Sequence, residues 1–334
     1  MPKFLIIQTA FIGDAVLATG IVEKLHQHFP SAEIDFMVRK GNEALLKDHP
    51  FLNEVLVWDK QKNKYRNWWR MLKQVRLRKY DTVINVQRFA ATGLLTGFSR
   101  AKEKIGFNKN PFSFLFTKKI KHIVADGDKT LHETERNNEL IKHLTGTLIA
   151  KPRLYPSVAD EKAVNEYIKP PFITISPASV WFTKQYPADK WVQFIDLLPH
   201  RYTIYLLGAP GDAALAENIR QNAKHPAINI LCGKLSFLQS AALMKHADMN
   251  YVNDSAPMHF ASAVNAPVTA VYCSTLPSFG FGPLSDKSFI VEREEPLYCR
   301  PCGLHGRKEC PEGHFKCAYD IREQQLINSL PVDL

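Results

Sequence analysis

The sequence predicts an α/β protein made of two Rossmann-like domains whose parallel sheets face a central cleft. The length of 334 residues matches about two domains of ~150 residues each. In both halves, short apolar runs alternate with helical patterns, as in βαβ units. Four prolines between Thr145 and Pro171 indicate a linker. We therefore predict an N-terminal domain over residues 1–160 and a C-terminal domain over residues 170–334.

The first half begins with a short apolar run, Lys3–Gln8, which is typical of a parallel strand buried on both faces. After a turn, apolar residues at helical spacing predict a helix over Ala15–Phe29, and Pro30 ends it. Three later runs predict further strands, at Glu33–Arg39, Glu54–Trp58 and Asp81–Val86.

The second half repeats the same alternation of strands and helices. We predict helices over Lys190–Leu198 and Asp212–Ala223. In such sheets ligands bind beyond the carboxyl ends of the strands, so the loops that follow strands are the candidate sites. The predicted strands are Phe172–Ser176, Tyr202–Leu207, Ile228–Leu231, Met249–Asn253 and Pro267–Tyr272.

Composition and charge are those of a globular protein with one basic half. Hydrophobic residues make up 45% and charged residues 23%, which excludes a disordered tail, a collagen-like rod and a small disulfide scaffold. The formal net charge is +10, and residues 1–150 account for it with 25 basic and 15 acidic residues. This asymmetry indicates that the first half faces an anionic partner. Met1–Gln8 contains no signal-peptide cleavage site, so we expect a cytoplasmic protein.

The loop after the first predicted strand contains a candidate catalytic carboxylate. Gly13 allows a tight turn, and Asp14 falls where a helix N-cap is expected. Asp14 either caps the helix only or accepts a proton from a substrate at the carboxyl edge of the sheet. The loop lacks the G-x-G-x-x-G pattern of dinucleotide sites.

Two loops of the second half present polar residues to the predicted cleft. The loop Ser176–Pro187 contains Ser179, Thr183 and Lys184. A lysine there can neutralise a phosphate, although most single lysines are solvated surface residues. In the loop Gly208–Asp212, Asp212 can cap a helix or bind a sugar hydroxyl.

A third loop, Asn253–His259, has the composition of an anion site. Asp254 and Ser255 are favoured at a helix N-cap, and Pro257 suits the first helical turn. Backbone N–H groups at such a helix start suit a diphosphate. His259 follows Ser255 by four residues and lies on the same helical face.

The order and spacing of these motifs resemble those of the ADP-heptose:lipopolysaccharide heptosyltransferases, glycosyltransferase family 9. The resemblance extends over nearly the whole chain and implies the GT-B fold. It implies transfer of a heptose from ADP-heptose to the lipopolysaccharide inner core, with inversion at the anomeric carbon and with no metal or other cofactor needed for catalysis. The motifs are Ile12-Gly13-Asp14, Ser179 through Thr183-Lys184 and Pro187, Gly208-Ala-Pro210, and Asn253-Asp254-Ser255 through His259.

The resemblance also implies roles for single residues. Asp14 corresponds to the catalytic base of the family and Lys184 to the lysine that contacts the donor diphosphate. Gln8 departs from the pattern because many members have Lys or Arg there, on the acceptor side. Ala256 replaces a usual glycine of the D-[ST]-G-x-x-H segment. The implied donor-binding residues are Ser179, Thr183, Lys184, Asp212, Asp254, Ser255, Ala256 and His259.

A basic segment in the first half predicts contact with a membrane. Residues Lys60–Lys79 include nine basic and no acidic residues, with aromatic residues at helical spacing. Such a helix is typical of an anionic membrane surface. An inner-core lipopolysaccharide precursor would lie there, so we expect a peripheral protein on the inner face of the cytoplasmic membrane. The alternative is that the aromatic residues pack on the core. With Gln8, the predicted acceptor and membrane side comprises Arg66, Trp68, Trp69 and Arg70.

Cysteines and a histidine cluster near the C-terminus, in the segment 299–317. Their spacing is that of metal ligands, and a structural zinc ion is one interpretation. Reduced thiols that pack a loop, or disulfides, are the alternatives. A closed site of this kind has no open position for catalysis. The candidate ligands are Cys299, Cys302, Cys310, His314 and Cys317.

Other functions fit the sequence less well. Asp126-Gly127-Asp128 resembles the metal-binding D-x-D pair of a different glycosyltransferase fold, but it reads as a surface turn. A nucleic-acid-binding protein would explain the charge and the Cys/His cluster, but these lie in different halves and no binding motif is met, so we expect no nucleic-acid partner. A GT-B transferase for another nucleotide sugar is the nearer alternative.

Overall fold

The computed structural model describes residues 1–126 and 129–331. The chain divides into two compact units, one from Met1 to Tyr155 and the other from Pro156 onward. This boundary falls within the proline-containing segment Thr145–Pro171. Gly127 and Asp128 of the D-x-D motif lie outside the described residues. In the described ranges no helix combines the length and the apolar character needed to cross a bilayer.

The first unit contains a sheet of six parallel strands. They are β1 (Lys3–Ile7), β2 (Glu33–Arg39), β3 (Glu54–Trp58), β4 (Thr82–Asn85), β5 (Glu103–Phe107) and β6 (Lys118–Ile120). Their spatial order is β3-β2-β1-β4-β5-β6. The four predicted strands are confirmed within one or two residues at their ends, whereas β5 and β6 were not predicted. A short antiparallel hairpin follows, formed by β7 (Ala125–Asp126) and β8 (Lys129–Thr130).

Helices cover this sheet with their apolar faces. In α2, Trp68, Met71, Leu72 and Val75 recur at helical spacing and pack on the core that Leu5 and Ile7 of β1 help to form, while the basic residues stay outside. The helix α1 starts three residues earlier than predicted. The helices are α1 (Ile12–His28), α2 (Lys64–Arg78), α3 (Ala90–Gly97) and α4 (Glu133–Thr145).

The second unit repeats the arrangement. Its strands are β9 (Phe172–Ser176), β10 (Thr203–Leu206), β11 (Ile228–Ile230), β12 (Met249–Asn253), β13 (Val268–Tyr272) and β14 (Ser288–Glu292). All pairings are parallel, in the order β11-β10-β9-β12-β13-β14. The five predicted strands are confirmed, and β14 was not predicted.

Aromatic side chains form much of the second core. Trp191 packs between Tyr186 and Phe194, and Phe194 packs on Tyr251 of β12. The C-terminal segment joins the same core through Phe315 and residues after it. The helices are α5 (Val158–Val164), α6 (Ala188–Asp196), α7 (Ala213–Asn222), α8 (Phe237–His246), α9 (Ala256–Ala263), α10 (Lys316–Tyr319) and α11 (Glu323–Ile327).

In each sheet the order in which strands are added reverses between two central strands: the earlier strands lie on one side of this point and the later strands on the other. In the first unit β1 pairs with β4, and Ile7 lies opposite Asn85. In the second unit β9 pairs with β12, and Ser176 lies opposite Val252. Because chain connections run to opposite sides at such a point, a crevice opens beyond the carboxyl ends of these strands. Within each unit, the loops that follow its two central strands therefore lie next to each other, and these loops contain predicted site residues.

Candidate functional site

Asp14 lies in the first turn of α1, directly after the loop that follows β1. The helix begins at Ile12 with Phe11 as its N-cap, so the prediction that Asp14 is the N-cap was wrong. Asp14 is the third helical residue, and its side-chain carboxyl accepts hydrogen bonds from its own backbone N–H and from that of Phe11. The positive end of the helix dipole also favours a negative charge here.

The electrostatic surroundings make the Asp14 carboxyl a weaker acid than an ordinary aspartic acid side chain. Burial is the largest cause, and the negative charge of Glu133 adds to it, so the pKa of Asp14 rises to about 6. The backbone N–H groups and the Arg88 guanidinium act in the opposite direction. A carboxyl with a pKa near neutrality can accept a proton from a substrate hydroxyl and release it afterwards.

Glu133 is a second acidic residue of this site, and sequence reasoning missed it. It begins α4, and burial raises its pKa. Its Oε2 accepts a hydrogen bond of 2.7 Å from Nε of Arg136, whose side chain is 2% exposed. A Glu and an Arg three residues apart in a first helical turn were the available signal.

Gln8, predicted on the acceptor and membrane side, lies below the surface. Its side chain is buried at 2% exposure. Its Oε1 accepts hydrogen bonds from the Ala10 backbone N–H and from the side-chain amide of Gln87, which follows β4. Gln8 therefore links the two central loops of the first unit.

The two adjacent tryptophans of the basic helix α2 lie in different surroundings. Trp69 is 63% exposed and lies among Arg66, Arg70 and Lys73. Trp68 instead packs against the core, and its Nε1 donates a hydrogen bond of 2.9 Å to the carbonyl of Ala91 in α3. The prediction that Trp68 faces a membrane was therefore wrong, because its position in the helix turns it toward the sheet.

In the second unit, Lys184 and Asp254 form an ion pair. Lys184 ends a 3-10 turn, Phe182–Lys184, in the loop after β9, and Asp254 follows β12 directly. The distance between Lys184 Nζ and Asp254 Oδ2 is 2.7 Å, and the two side chains are 15% and 9% exposed. The Thr275 hydroxyl, beyond β13, donates to the same oxygen at 2.6 Å. Three neighbouring strands thus contribute to one polar cluster.

Asn253 fixes these loops to each other, and sequence reasoning did not single out its side chain. Its Oδ1 accepts a hydrogen bond from the Tyr186 N–H at 2.9 Å, and its Nδ2 donates to the Pro177 carbonyl at 2.8 Å. The Asn253 side chain is fully buried. It therefore holds both ends of the loop that carries Lys184.

The helix start at α9 is present, with a different capping arrangement from the predicted one. Ser255 is the N-cap residue, but its hydroxyl donates to the Asn253 carbonyl at 3.3 Å instead of capping the helix. Ala256 is the first helical residue, and His259 is buried one turn later. The positive helix end lies next to Asp254 in the chain.

Three further predicted donor residues have bonds to nearby loops. The Ser179 carbonyl accepts a hydrogen bond from the Gln185 side chain at 2.8 Å. Asp212 Oδ2 accepts one from the Ala209 N–H at 2.7 Å, so this carboxylate shapes its own turn. Thr183 is buried beside Lys184 and accepts a hydrogen bond from Ser274.

The Cys-rich segment lines a cavity next to Thr183. Cys299, Cys302, Cys310, His314 and Cys317 all lie on its wall, and all of these thiols are free. Cys299 Sγ is 3.9 Å from His314 Nε2. In the described part of the chain, no three His, Cys, Asp or Glu side chains form a group that could hold a metal ion. The zinc hypothesis stays a prediction.

Comparisons with known proteins agree with the sequence resemblance. Residues 68–314 match the profile of glycosyltransferase family 9 (heptosyltransferase). The chain is 26% identical over 280 residues to lipopolysaccharide heptosyltransferase 3 of Escherichia coli, which covers 79% of this chain and 82% of that protein.

Solved structures of similar proteins share the fold. A glycosyl transferase family 9 protein from Veillonella parvula matches with a TM-score of 0.83 at 21% identity, covering 98% of this chain and 96% of that one. The E. coli ADP-heptose lps heptosyltransferase II matches with a TM-score of 0.79 at 20% identity, covering 98% and 97%. The predicted class, an α/β protein of GT-B type with two parallel sheets, is confirmed.

Proposed function

This chain belongs to glycosyltransferase family 9, the heptosyltransferases, and we propose that it transfers a heptose from ADP-heptose to an inner-core lipopolysaccharide acceptor. The similar E. coli proteins are named for lipopolysaccharide and ADP-heptose, which supports this donor and this acceptor class. The observation that carries the proposal is the position of Asp14 at the carboxyl edge of the first sheet, where its pKa is about 6.

Asp14 is the general base of the proposed reaction. Its carboxylate accepts the proton of an acceptor hydroxyl while that oxygen attacks the anomeric carbon. The new glycosidic bond forms as the bond between the anomeric carbon and the diphosphate oxygen breaks, and ADP leaves with the bonding electrons. A single displacement of this kind inverts the configuration at the anomeric carbon.

The second unit provides the donor site of this proposal. Lys184 neutralises the diphosphate of ADP, exchanging its bond to Asp254 for bonds to phosphate oxygens. The backbone N–H groups at the start of α9, beside Ser255 and Ala256, add positive potential. Fixed positive groups of this kind stabilise the charge that grows on the leaving ADP, so the proposal needs no metal ion for catalysis.

The exposed face of α2 is the proposed contact with the membrane. Tyr65, Trp69 and Leu77 are exposed, and basic residues surround Trp69. Exposed aromatic residues insert between lipid headgroups, while Arg and Lys attract anionic lipids. We expect peripheral association with an anionic inner-membrane surface, where a lipid-linked acceptor lies.

A donor screen tests the function directly. Purified protein is incubated with a heptose-deficient inner-core acceptor and with ADP-heptose, ADP-glucose, UDP-glucose or UDP-N-acetylglucosamine. We expect ADP release and a mass gain of one heptose with ADP-heptose alone, with inverted anomeric configuration by NMR. Transfer from a different nucleotide sugar would replace the proposed donor, and lack of transfer from all four would contradict the proposal.

A further inference from the structure

The Cys-rich segment packs directly against the turn that carries Lys184. The Thr183 N–H donates to the Arg307 carbonyl at 3.1 Å, and the Arg307 N–H donates to Thr183 Oγ1 at 2.7 Å. Ser274 Oγ donates to the same Thr183 oxygen at 2.9 Å. Thr183 is fully buried, so these bonds fix the turn Phe182–Lys184 on its buried side.

The same segment reaches the partner of Lys184 by a second route. The Arg300 guanidinium is 9% exposed and donates to the Thr275 carbonyl at 2.8 Å while it pairs with Glu292 at 2.5 Å. The Thr275 hydroxyl in turn holds Asp254. The segment also contacts the loop after β13 through the Cys302 N–H, which donates to the Ser274 carbonyl at 2.9 Å. Both members of the ion pair thus depend on residues 300–307.

Gly306 leaves just enough room for the Lys184 side chain. A Cβ atom at Gly306 would lie 2.8 Å from Lys184 Cγ and 3.1 Å from Thr183 Oγ1. Such distances force a displacement, and Lys184 cannot swing away freely because its Nζ is held by Asp254. Gly306 also has a φ of +76°, which a residue with a side chain adopts only with strain.

We propose that the segment Arg300–Arg307 is a positioning element that sets the place of Lys184 and Asp254 for the donor diphosphate. The inference rests on the proposed role of Lys184 in donor binding. It gives the Cys-rich segment a task that does not depend on what its thiols bind. Gly306 and Arg300 are its positioning residues, because each acts on the donor site through another residue.

Two glycines of this segment provide a matched pair for the test. Gly303 also has a positive φ, +93°, but a Cβ there would meet nothing within 4 Å. Gly303→Ala and Gly306→Ala therefore share the backbone strain, and only Gly306→Ala displaces Lys184. We expect Gly306→Ala to weaken ADP binding about tenfold in calorimetry, since a misplaced cation loses most of a charged hydrogen bond. Gly303→Ala should bind ADP as the wild type does.

A double variant shows whether the effect passes through Lys184. In a Lys184→Ala background, Gly306→Ala should cause no further loss of ADP affinity. Equal ADP affinity of the two glycine variants, or an undiminished loss in the Lys184→Ala background, would overturn the inference.

A further variant and the wild type complete the test. Should Gly306→Ala not fold, Arg300→Lys is the milder variant, because it keeps a positive charge beside Glu292 but replaces the planar guanidinium, whose Nη2 donates to the Thr275 carbonyl, with an ammonium of different reach and geometry. We expect it to weaken ADP binding as well, and unchanged ADP affinity of that variant would contradict the inference. Failure of the wild type to bind ADP would instead count against the proposed function itself.

Discussion

Lys184 and Asp254 lie 2.7 Å apart, although 70 residues of sequence separate them. Their loops follow β9 and β12, which are paired neighbours at the point where the strand order of the sheet reverses. The pair is mostly buried, so its two charges depend strongly on each other. In the proposed donor site, a diphosphate would replace Asp254 as the negative partner of Lys184 with a group of higher charge.

Lys184→Ala should weaken ADP binding by about ten- to one-hundredfold, because it removes one charged hydrogen bond worth roughly 1.5–3 kcal/mol. Calorimetric titration with ADP measures the effect. Lys190→Ala is the matched control, since Lys190 forms an ion pair with Glu323 in the same unit and has a similar exposure of 11%. This control should lose some stability and keep its ADP affinity. Equal affinities of the two variants would exclude Lys184 from the donor site.

Asp14→Asn should lower kcat by about 10²- to 10⁴-fold, because an amide cannot accept the proton of the acceptor hydroxyl. The wild-type kcat/KM should fall as the pH drops below about 6, the pKa of Asp14, since the protonated carboxyl is inactive as a base. Steady-state rates between pH 4.5 and pH 8 measure both effects. A flat profile over this range, or near-normal turnover of the variant, would contradict the role of Asp14.

The same substitution should stabilise the fold at neutral pH. The folded-state pKa of about 6 exceeds the ordinary value of 3.8, so the contribution of Asp14 to stability is present at low pH and is lost as the pH rises through about 6. At about 1.36 kcal/mol per pKa unit, Asp14→Asn should gain at most about 3 kcal/mol at pH 7 and almost nothing near pH 4. Urea unfolding of both proteins at the two pH values measures this difference.

Asp81→Asn is the control of opposite sign for Asp14→Asn. The hydrogen bond from Lys102 to Asp81, 2.8 Å long, lowers the pKa of this carboxyl. Removing its charge should therefore give no gain in stability at neutral pH and should leave turnover unchanged. A gain at Asp81 as large as that at Asp14 would show that the effect is not specific to Asp14.

The central strands of both sheets could be predicted because they are buried on both faces. Leu5, Ile6 and Ile7 in β1 are fully buried, and such a strand reads as a continuous apolar run. The strands β6 and β14 lie at the sheet edges, where several of their side chains are exposed. The sequence of β6 contains Lys118 and Lys119 and no such run, and for this physical reason β6 was not predicted. The strand β14 does contain a short apolar run, Phe289–Val291, but Phe289 and Ile290 are exposed, so this run lacks the burial on both faces that marks a central strand.

The candidate site was predicted only where a residue belongs to a local motif. Asp14 and Lys184 stand in loops that follow apolar strands, which made them candidates for a proton acceptor and a phosphate partner before the resemblance to a family added its roles. Glu133 and Thr275 act on Asp14 and Asp254 across 119 and 21 residues of chain. Such contacts depend on the order of the strands in the sheet, and this order cannot be predicted from the spacing of residues in the sequence.

Asn253→Asp should destabilise the second unit and weaken ADP binding. The new carboxylate loses the Nδ2 bond to the Pro177 carbonyl and leaves a charge in a fully buried place. Loss of such a buried hydrogen bond costs about 1–3 kcal/mol before the charge is considered. Thermal unfolding and ADP titration measure the two effects. A variant as stable as the wild type would show that Asn253 does not hold the loop of Lys184.

Trp69→Ala should weaken binding to anionic vesicles about tenfold without loss of stability. The Trp69 side chain is 63% exposed, and burying a large apolar side chain in the headgroup region is worth about 1.5–3 kcal/mol. Co-sedimentation with vesicles of phosphatidylglycerol and phosphatidylcholine measures the binding, which should also weaken with added salt because Arg66, Arg70 and Lys73 surround this tryptophan.

The neighbouring tryptophan provides the control for the membrane proposal. Trp68 is half-buried against the core and donates its Nε1–H to the Ala91 carbonyl, so Trp68→Ala should lower the free energy of unfolding, by less than the ~3–5 kcal/mol that a fully buried aromatic loses. At a temperature where this variant is still folded, its vesicle binding should equal that of the wild type, because Trp68 does not present its ring to solvent as Trp69 does. Equal vesicle binding of Trp69→Ala and the wild type, or binding that does not respond to salt, would remove α2 from the membrane contact.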